Sequence, residues 1–236
     1  MGVLDLLFPK NCLNCGLFGQ YICSQCLAKI RSASQICPYC EKPSIDGLTH
    51  IKCTRKFGLD GLICPWEYEG VIRKAILALK FKYATEVGKE LSEHFINAIK
   101  PSNSLAEPDP ALQERFLLPD SSLLIPVPLH WHRENVRGFN QSIEVGKTVA
   151  ESLDWKFVPD LLVKKRSTTS QVDLKGDDRR QNLKDVFALN PSYILHTTPN
   201  ILLFDDVFTT GSTLMEAAKA LKRAGVEKVW GLTIAR

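Results

Sequence analysis

The chain has no run approaching the roughly 20 consecutive apolar residues that cross a bilayer, so no membrane insertion is expected. Its start, "MGVLDLLFPK", lacks the basic opening, longer apolar stretch and cleavage site of an export signal, and a cytoplasmic location is expected. No Gly-Lys-Ser/Thr closes a glycine-rich loop, which excludes a Walker-type nucleotide site, and neither a Ser-His-Asp order nor a metalloprotease motif is present. A strong charge of one sign is missing too. Lys and Arg number 30 against 26 Asp and Glu, a formal net charge of +4 over 236 residues, which permits an anionic ligand without requiring nucleic acid. Aromatic residues interleaved with basic ones, the platform for stacked bases, are sparse outside "HWHRENVRGFN". What is left is ordinary globular composition, 44% hydrophobic and 24% charged, enough for one large domain with a small module.

Cysteine is absent after Cys64, and all eight cysteines crowd between Cys12 and Cys64. That asymmetry marks a module at the start of the chain, and in a reducing compartment it favours metal binding over disulfides. Cys12, Cys15, Cys23 and Cys26 follow a C-x2-C-x7-C-x2-C spacing, two tight turns whose thiolates can converge on one tetrahedral Zn²⁺. A third pair, Cys37 and Cys40, is followed by a lone Cys53, with Lys56 standing where a partner three positions later is expected. The fourth ligand of a second Zn²⁺ is left open between His50 and Cys64, the latter lying in the apolar "GLICPW", where a buried core thiol is the competing reading. With few aliphatic residues between its cysteines, such a module draws much of its folding free energy from metal, and a closed four-cysteine site is structural rather than catalytic.

From Trp66 the texture changes to helical periodicity. Val71, Ile72, Ala75, Ile76 and Leu79 share one helix face, and Val87, Leu91, Phe95 and Ala98 share another. Residues 101–120, rich in Pro, Ser and acids, read as an exposed insertion. A buried strand is expected over 123–127, a helix over about 140–153, and short strands around Leu161 and Phe187 separated by about twenty polar residues, a loop length usually functional or disordered. Strand 201–205, helix 213–224 and the final "KVWGLTIAR" complete a β-α-β alternation. Apolar strands alternating with amphipathic helices imply a parallel sheet with helices on both faces, and ligands of such sheets bind beyond the carboxyl ends of the strands.

Asp205 and Asp206 fall at such an end, in "ILLFDDVFTTGST". The turn that follows combines Gly211, for close backbone approach, with the hydroxyls of Thr209, Thr210, Ser212 and Thr213 and the amides of a starting helix, the ingredients of a phosphate cradle. Two carboxylates beside a phosphate repel it, so they face something else, and sugar hydroxyls, directly or through Mg²⁺, suit them. The bland alternative is a loop start followed by helix-capping hydroxyls.

Residues 201–213 resemble the phosphoribosyl pyrophosphate (PRPP) motif of type I phosphoribosyltransferases. With the cysteine pairs, "LKF" at 79–81, "VPLHWHRENVRGFNQS" at 127–142 and "RRQNLKDVF" at 179–187, nearly the whole chain resembles the ComF family of competence and DNA-utilisation proteins. Family members typically carry four cysteine pairs or a shortened set, from which the single Cys53 departs, as does the insertion at 101–120. The resemblance implies an α/β fold, a type I phosphoribosyltransferase-like parallel sheet flanked by helices over 61–236, with a small zinc ribbon over 1–60. It implies that Asp205 and Asp206 bind the ribose diol and help to hold Mg²⁺, and that Thr209, Thr210, Gly211, Ser212 and Thr213 bind the 5′-phosphate. Pro128, Arg133 and Arg137 would face the pyrophosphate, and Arg179 and Arg180 would close over it as it leaves. The guanidinium group suits this work, because it meets phosphate oxygens in bidentate geometry. The implied activity is transfer of ribose 5-phosphate from PRPP to a nitrogenous acceptor, in DNA uptake or nucleotide salvage. The alternative is a non-catalytic PRPP- or nucleotide-sensing adaptor that binds single-stranded DNA or a competence helicase or ATPase.

Overall fold

The computed structural model describes residues 10–79, 84–100, 123–128, 141–165, 185–193 and 200–236. The insertion expected at 101–120 lies outside them. The described strands are β1 (Gly61–Ile63), β2 (Leu123–Pro126), β3 (Lys156–Phe157), β4 (Leu162–Lys164), β5 (Phe187–Leu189), β6 (Asn200–Val207) and β7 (Lys228–Ala235). The α-helices are α1 (Ser24–Leu27), α2 (Gly70–Ala78), α3 (Ala84–Ile99), α4 (Gln141–Ser152) and α5 (Ser212–Arg223).

Five strands form a parallel sheet in the order β1-β7-β6-β2-β3. Its centre is the β6-α5-β7 unit, in which Ile201 to Asp205 pair in step with Val229 to Thr233. A parallel sheet covered on both faces reads as a continuous apolar run, because successive side chains alternate between two buried layers. β6 shows this residue by residue. Leu202 and Phe204 enter a core shared with Val71, Ile72 and Ile76 of α2, Leu91 and Phe95 of α3 and Val145 of α4. Ile201 and Leu203 enter a second core with Leu214, Ala217, Ala218 and Leu221 of α5. The two helices expected after Trp66 are therefore present, and their apolar faces pack on the sheet as the periodicity required.

One strand bound differs from the sequence reading. The strand expected to end at 205 continues to Val207, because Val207 still pairs with Ala235. The short strands expected near Leu161 and Phe187 are present as β4 and β5, which pair with each other outside the main sheet, antiparallel, Leu162 against Leu189 and Lys164 against Phe187. Among the described residues no helix is long and apolar enough to cross a membrane.

Candidate functional site

Seven of the eight cysteines, joined by His50, form two four-ligand clusters among the described residues. Cys12, Cys15, Cys23 and Cys26 form the first, their ligand atoms all within 4.8 Å of one another. Tetrahedral Zn–S bonds of about 2.3 Å set sulfurs about 3.8 Å apart, and Cys15 Sγ lies 3.6 Å from Cys23 Sγ. Cys23 caps the one-turn α1, its sulfur accepting from the Cys26 N–H at 3.4 Å, while Asn14 Nδ2 donates to Cys26 Sγ at 3.4 Å. Burial opposes ionisation of Cys12, but the N–H groups of Cys15, Cys23 and Asn14 outweigh it and lower its thiol to about 6. At Cys23 burial dominates and pushes the thiol up to about 12. Metal binding would release that retained proton.

The second cluster is Cys37, Cys40, His50 and Cys53, again within 4.8 Å. His50 Nε2 lies 3.0 Å from the Pro43 carbonyl oxygen, which can only accept, so Nε2 carries the proton. Nδ1 is thereby left as the ligand atom, 3.3 Å from Cys40 Sγ. A metal-ligating histidine held by its other nitrogen in this way is a common device for fixing ring orientation. The question of the fourth ligand is thus answered in favour of His50. Cys64 is excluded: it is buried, donates to the Trp66 carbonyl oxygen at 3.5 Å, and burial pushes its thiol up to about 12. The readable signal was H-x2-C at His50 and Cys53, which repeats the C-x2-C spacing upstream of Cys53, not downstream where Lys56 stands.

At the carboxyl edge of the sheet, β6 turns through Phe208 to Gly211 into α5. Gly211 adopts φ +67°, the left-handed region. A Cβ there would stand 2.6 Å from the buried Phe208 ring and 3.0 Å from the end of Met215, so both conformation and space require glycine. The Gly211 carbonyl oxygen accepts the first helical bond, from the Met215 N–H at 2.8 Å. Thr210 Oγ1 and Ser212 Oγ lie 2.8 Å apart, joined by a hydrogen bond. A small pocket lies inside this turn, lined by Asp205 and by every residue from Val207 to Leu214. Hydroxyls and the unpaired first amides of a 12-residue helix converge there, a donor set suited to a phosphate or another tetrahedral anion.

Asp205 and Asp206 are consecutive at the end of β6, and their carboxyl groups interact. Asp205 lines the loop pocket, and its Oδ1 accepts from the Asp206 N–H at 2.9 Å. Surrounding protein atoms, and then the charge of Asp206, hold the Asp205 carboxyl well above the ordinary carboxylate range, against the opposing pull of that N–H and of Lys164 on β4. Nearby, burial raises the Tyr68 phenol, Arg73, 6.0 Å from the Tyr68 ring centroid, lowers it, and the charge of Asp206 raises it further. Two adjacent carboxylates of this kind can bind a divalent cation or accept from a diol. Pro128 lies just beyond β2 on the same edge, since the preceding Val127 N–H donates to Phe204 O at 2.8 Å. The structure therefore brings Asp205, Asp206, Thr209, Thr210, Gly211, Ser212, Thr213 and Pro128 to one end of the sheet. Arg133, Arg137, Arg179 and Arg180 lie outside the described residues. Lys164, Tyr68 and Arg73 went unnoticed in the sequence, because nothing local marks a residue that a distant element carries to the site.

Fold and sites together define an α/β protein with an N-terminal double zinc ribbon. The profile of the double zinc ribbon domain matches residues 3–57, which agrees with Zn²⁺ as the metal for both clusters. Along the chain, DNA utilization protein YhgH of Escherichia coli O157:H7 is 31% identical over 218 residues, 89% of each protein. Competence protein F of Haemophilus influenzae is 38% identical over 130 residues, a match spanning 54% of this chain and 56% of that protein. Competence protein ComFC of Bacillus subtilis is 26% identical over 221 residues, 86% of this chain and 79% of that protein. The chain belongs to the ComF family.

Proposed function

We propose that the protein binds PRPP with Mg²⁺ at the carboxyl edge of the sheet and transfers ribose 5-phosphate to a nitrogenous acceptor, releasing pyrophosphate. One observation carries this reading: the Asp205–Asp206 strand end runs directly into a hydroxyl-rich, glycine-turned loop at the start of α5. A ligand holding a phosphate and a ribose diol in one molecule satisfies both halves, with the 5′-phosphate on residues 209–213 and the diol on the aspartates. In the reaction the bond from C1 of the ribose to the pyrophosphate oxygen breaks, its electron pair leaving with pyrophosphate, and the acceptor nitrogen supplies the pair for the new C1–N bond. Mg²⁺, when bound, would neutralise charge growing on the pyrophosphate. The protein's own part is to hold the phosphate rigidly and keep the carboxylates close to the ribose; Arg133, Arg137, Arg179 and Arg180 are the side chains proposed to meet the leaving group. The names of the relatives, competence and DNA utilisation, support placing this chemistry in DNA uptake or nucleotide salvage.

Calorimetric titration of PRPP with Mg²⁺ into the zinc-loaded protein tests the reading. Saturable binding, lost in a folded Asp205→Asn/Asp206→Asn variant, supports it, and pyrophosphate release across a panel of nucleobases then tests turnover. Absence of binding by the folded wild type overturns it.

A second reading rests on a different surface. Phe57, 37% exposed, has the Lys56 ammonium 5.2 Å and the Arg223 guanidinium 5.8 Å from its ring centroid. An exposed ring flanked by cations is how sequence-tolerant sites hold single-stranded nucleic acid. Here the protein is a PRPP-sensing adaptor that carries single-stranded DNA, with a competence helicase or ATPase as partner. Salt-sensitive retention of a single-stranded oligonucleotide, lost in Phe57→Ala, supports this reading. Salt-independent or absent retention removes it.

A further inference from the structure

The two metal clusters are built into opposite faces of the sheet. Cys12, Cys23 and Cys26 pack with Ile22 into the core formed by α2 and α3. That ribbon is pinned to α3, where the Glu90 carboxylate accepts the N–H groups of Tyr21 at 2.7 Å and Ile22 at 3.0 Å. The second ribbon belongs to the other side. Ile36 and Leu59 enter the core of α5, together with Phe208 and Leu214, the two apolar residues that bracket the hydroxyl-rich loop.

Tyr39 is the link. It stands between the ligands Cys37 and Cys40, its ring packs on the α5 core, and its hydroxyl accepts the Leu59 N–H at 2.7 Å. Arg55, two residues past the ligand Cys53, lays its guanidinium 4.5 Å from the centroid of that ring. Tyr39 and Arg55, with Pro38 and Glu41, form one wall of a cleft of about 190 Å³, and the opposite wall is Thr210, Ser212, Met215 and Glu216. Each residue of the ribbon wall lies within two positions of a metal ligand, so the fixed turns that converge on the metal also fix this wall.

We propose that the second metal site, and not the first, holds the Phe208–Met215 turn in place, with Tyr39 as the positioning residue between them. Through this turn the second site sets affinity for a phosphate-bearing ligand, a consequence that rests on the phosphate reading of the loop; the ordering of the turn does not. The geometry separates the two sites cleanly. Loss of the first loosens the α3 face, and loss of the second loosens the loop.

The test uses the full chain, zinc-loaded, in four forms: wild type, His50→Ala/Cys53→Ala, Tyr39→Ala and Cys15→Ser. Zinc content is measured first, then amide hydrogen exchange, then binding of PRPP with Mg²⁺. The double variant should hold one zinc fewer than wild type and exchange the amides of 208–215 about tenfold faster, with 84–99 little changed, since local opening is reported segment by segment. Tyr39→Ala should keep all its zinc and show the same acceleration at 208–215, which keeps the proposal testable if the double variant fails to fold. Cys15→Ser should speed exchange in 84–99 and spare 208–215. Affinity for PRPP should fall about tenfold in the first two variants and less than twofold in the third. Unchanged exchange at 208–215 in Tyr39→Ala, or equal acceleration there in Cys15→Ser, overturns the proposal. If wild type binds no PRPP while exchange follows this pattern, the phosphate reading fails and the positioning role stands. If wild type binds PRPP and Tyr39→Ala binds it equally well with unchanged exchange, the positioning role fails and the phosphate reading stands.

Discussion

The Asp60 carboxylate meets the Lys222 ammonium at 2.8 Å, joining the segment that leads from the second ribbon into β1 to the last turn of α5. The same carboxylate accepts the Val229 N–H at 2.7 Å, at the start of β7. One side chain thus ties the successive elements α5 and β7 to a segment 169 residues before Val229. The side chains of Lys222 and Asp60 are 11% and 21% exposed, well short of a solvated surface pair. Removing one partner of a largely buried pair leaves the other charge uncompensated, so Asp60→Ala should cost about 2–3 kcal/mol, and Asp60→Asn, which keeps an acceptor for Val229, about half of that. Urea denaturation of the zinc-loaded variants measures both. Equal and negligible losses would mean that water replaces the pair at no cost.

Metal content distinguishes the ligand sets directly. Wild type and Cys64→Ser should each carry two Zn²⁺ per chain, and Cys37→Ser or Cys53→Ser one, by elemental analysis after exhaustive dialysis. Cys64→Ser should still lose stability by about 1 kcal/mol or more, because it places a more polar group in the buried site beside Trp66. Both sites should release metal as pH falls, since each ligand thiol must be deprotonated, and zinc loading should release protons where thiols such as Cys23 and Cys53, near 12 and 11 without metal, hold theirs at neutral pH. Retention of both metals in Cys53→Ser would refute the second ligand set.

Gly211→Ala forces a side chain into the left-handed region and against the Phe208 ring. The conformational cost and the displacement of Phe208 together should destabilise the protein by about 1–3 kcal/mol. PRPP affinity should fall further than stability alone explains, because the first amides of α5 are moved. Comparing thermal midpoints with calorimetric affinities separates the two effects, and an alanine variant with unaltered midpoint and affinity would show that the turn tolerates a Cβ.

These positions were legible in the sequence to different degrees, for physical reasons. "ILLF" could be read as a central strand because a parallel strand buried on both faces needs apolar residues at every position, and the structure divides 201–204 between the two cores as that reading requires. The helices over 70–78 and 84–99 were legible from their 3.6-residue periodicity. β1 was not, since three residues pairing with β7 across most of the chain leave no local signature. Gly61 sits there beneath Trp230, whose ring would stand 2.2 Å from a Cβ, a close approach invisible until the two strands pair. The first metal cluster was plain from regular spacing, whereas the second was left between His50 and Cys64 because a histidine replaces the cysteine of its pair. The hydroxyl-rich loop was readable as a motif, but the cleft it shares with Tyr39 and Arg55 of the second ribbon depends on how the chain packs, which no local pattern encodes.

Asp205 supplies a pH-dependent prediction whose sign is fixed by its surroundings. Burial, then the charge of Asp206, raise its carboxyl well above the unfolded value near 3.8. Between those two values the folded protein keeps a proton that the unfolded chain has released, so stability falls as pH rises through the window. Below the unfolded value both states are protonated and the penalty vanishes. Asparagine carries no titrating proton and keeps an acceptor for the Asp206 N–H, 2.9 Å away. The Asp205→Asn variant without ligand should therefore melt above wild type at pH 7.5, with the difference closing as pH falls towards 4. Adding Mg²⁺ and PRPP should reverse the order at neutral pH, because a bound cation stabilises the carboxylate that burial penalises and only wild type then gains binding free energy. A variant that melts below wild type at every pH without ligand would show that Asp205 contributes to the fold. A variant stabilised in the ligand-free state and deaf to ligand would mark it as a group kept for binding at the expense of stability.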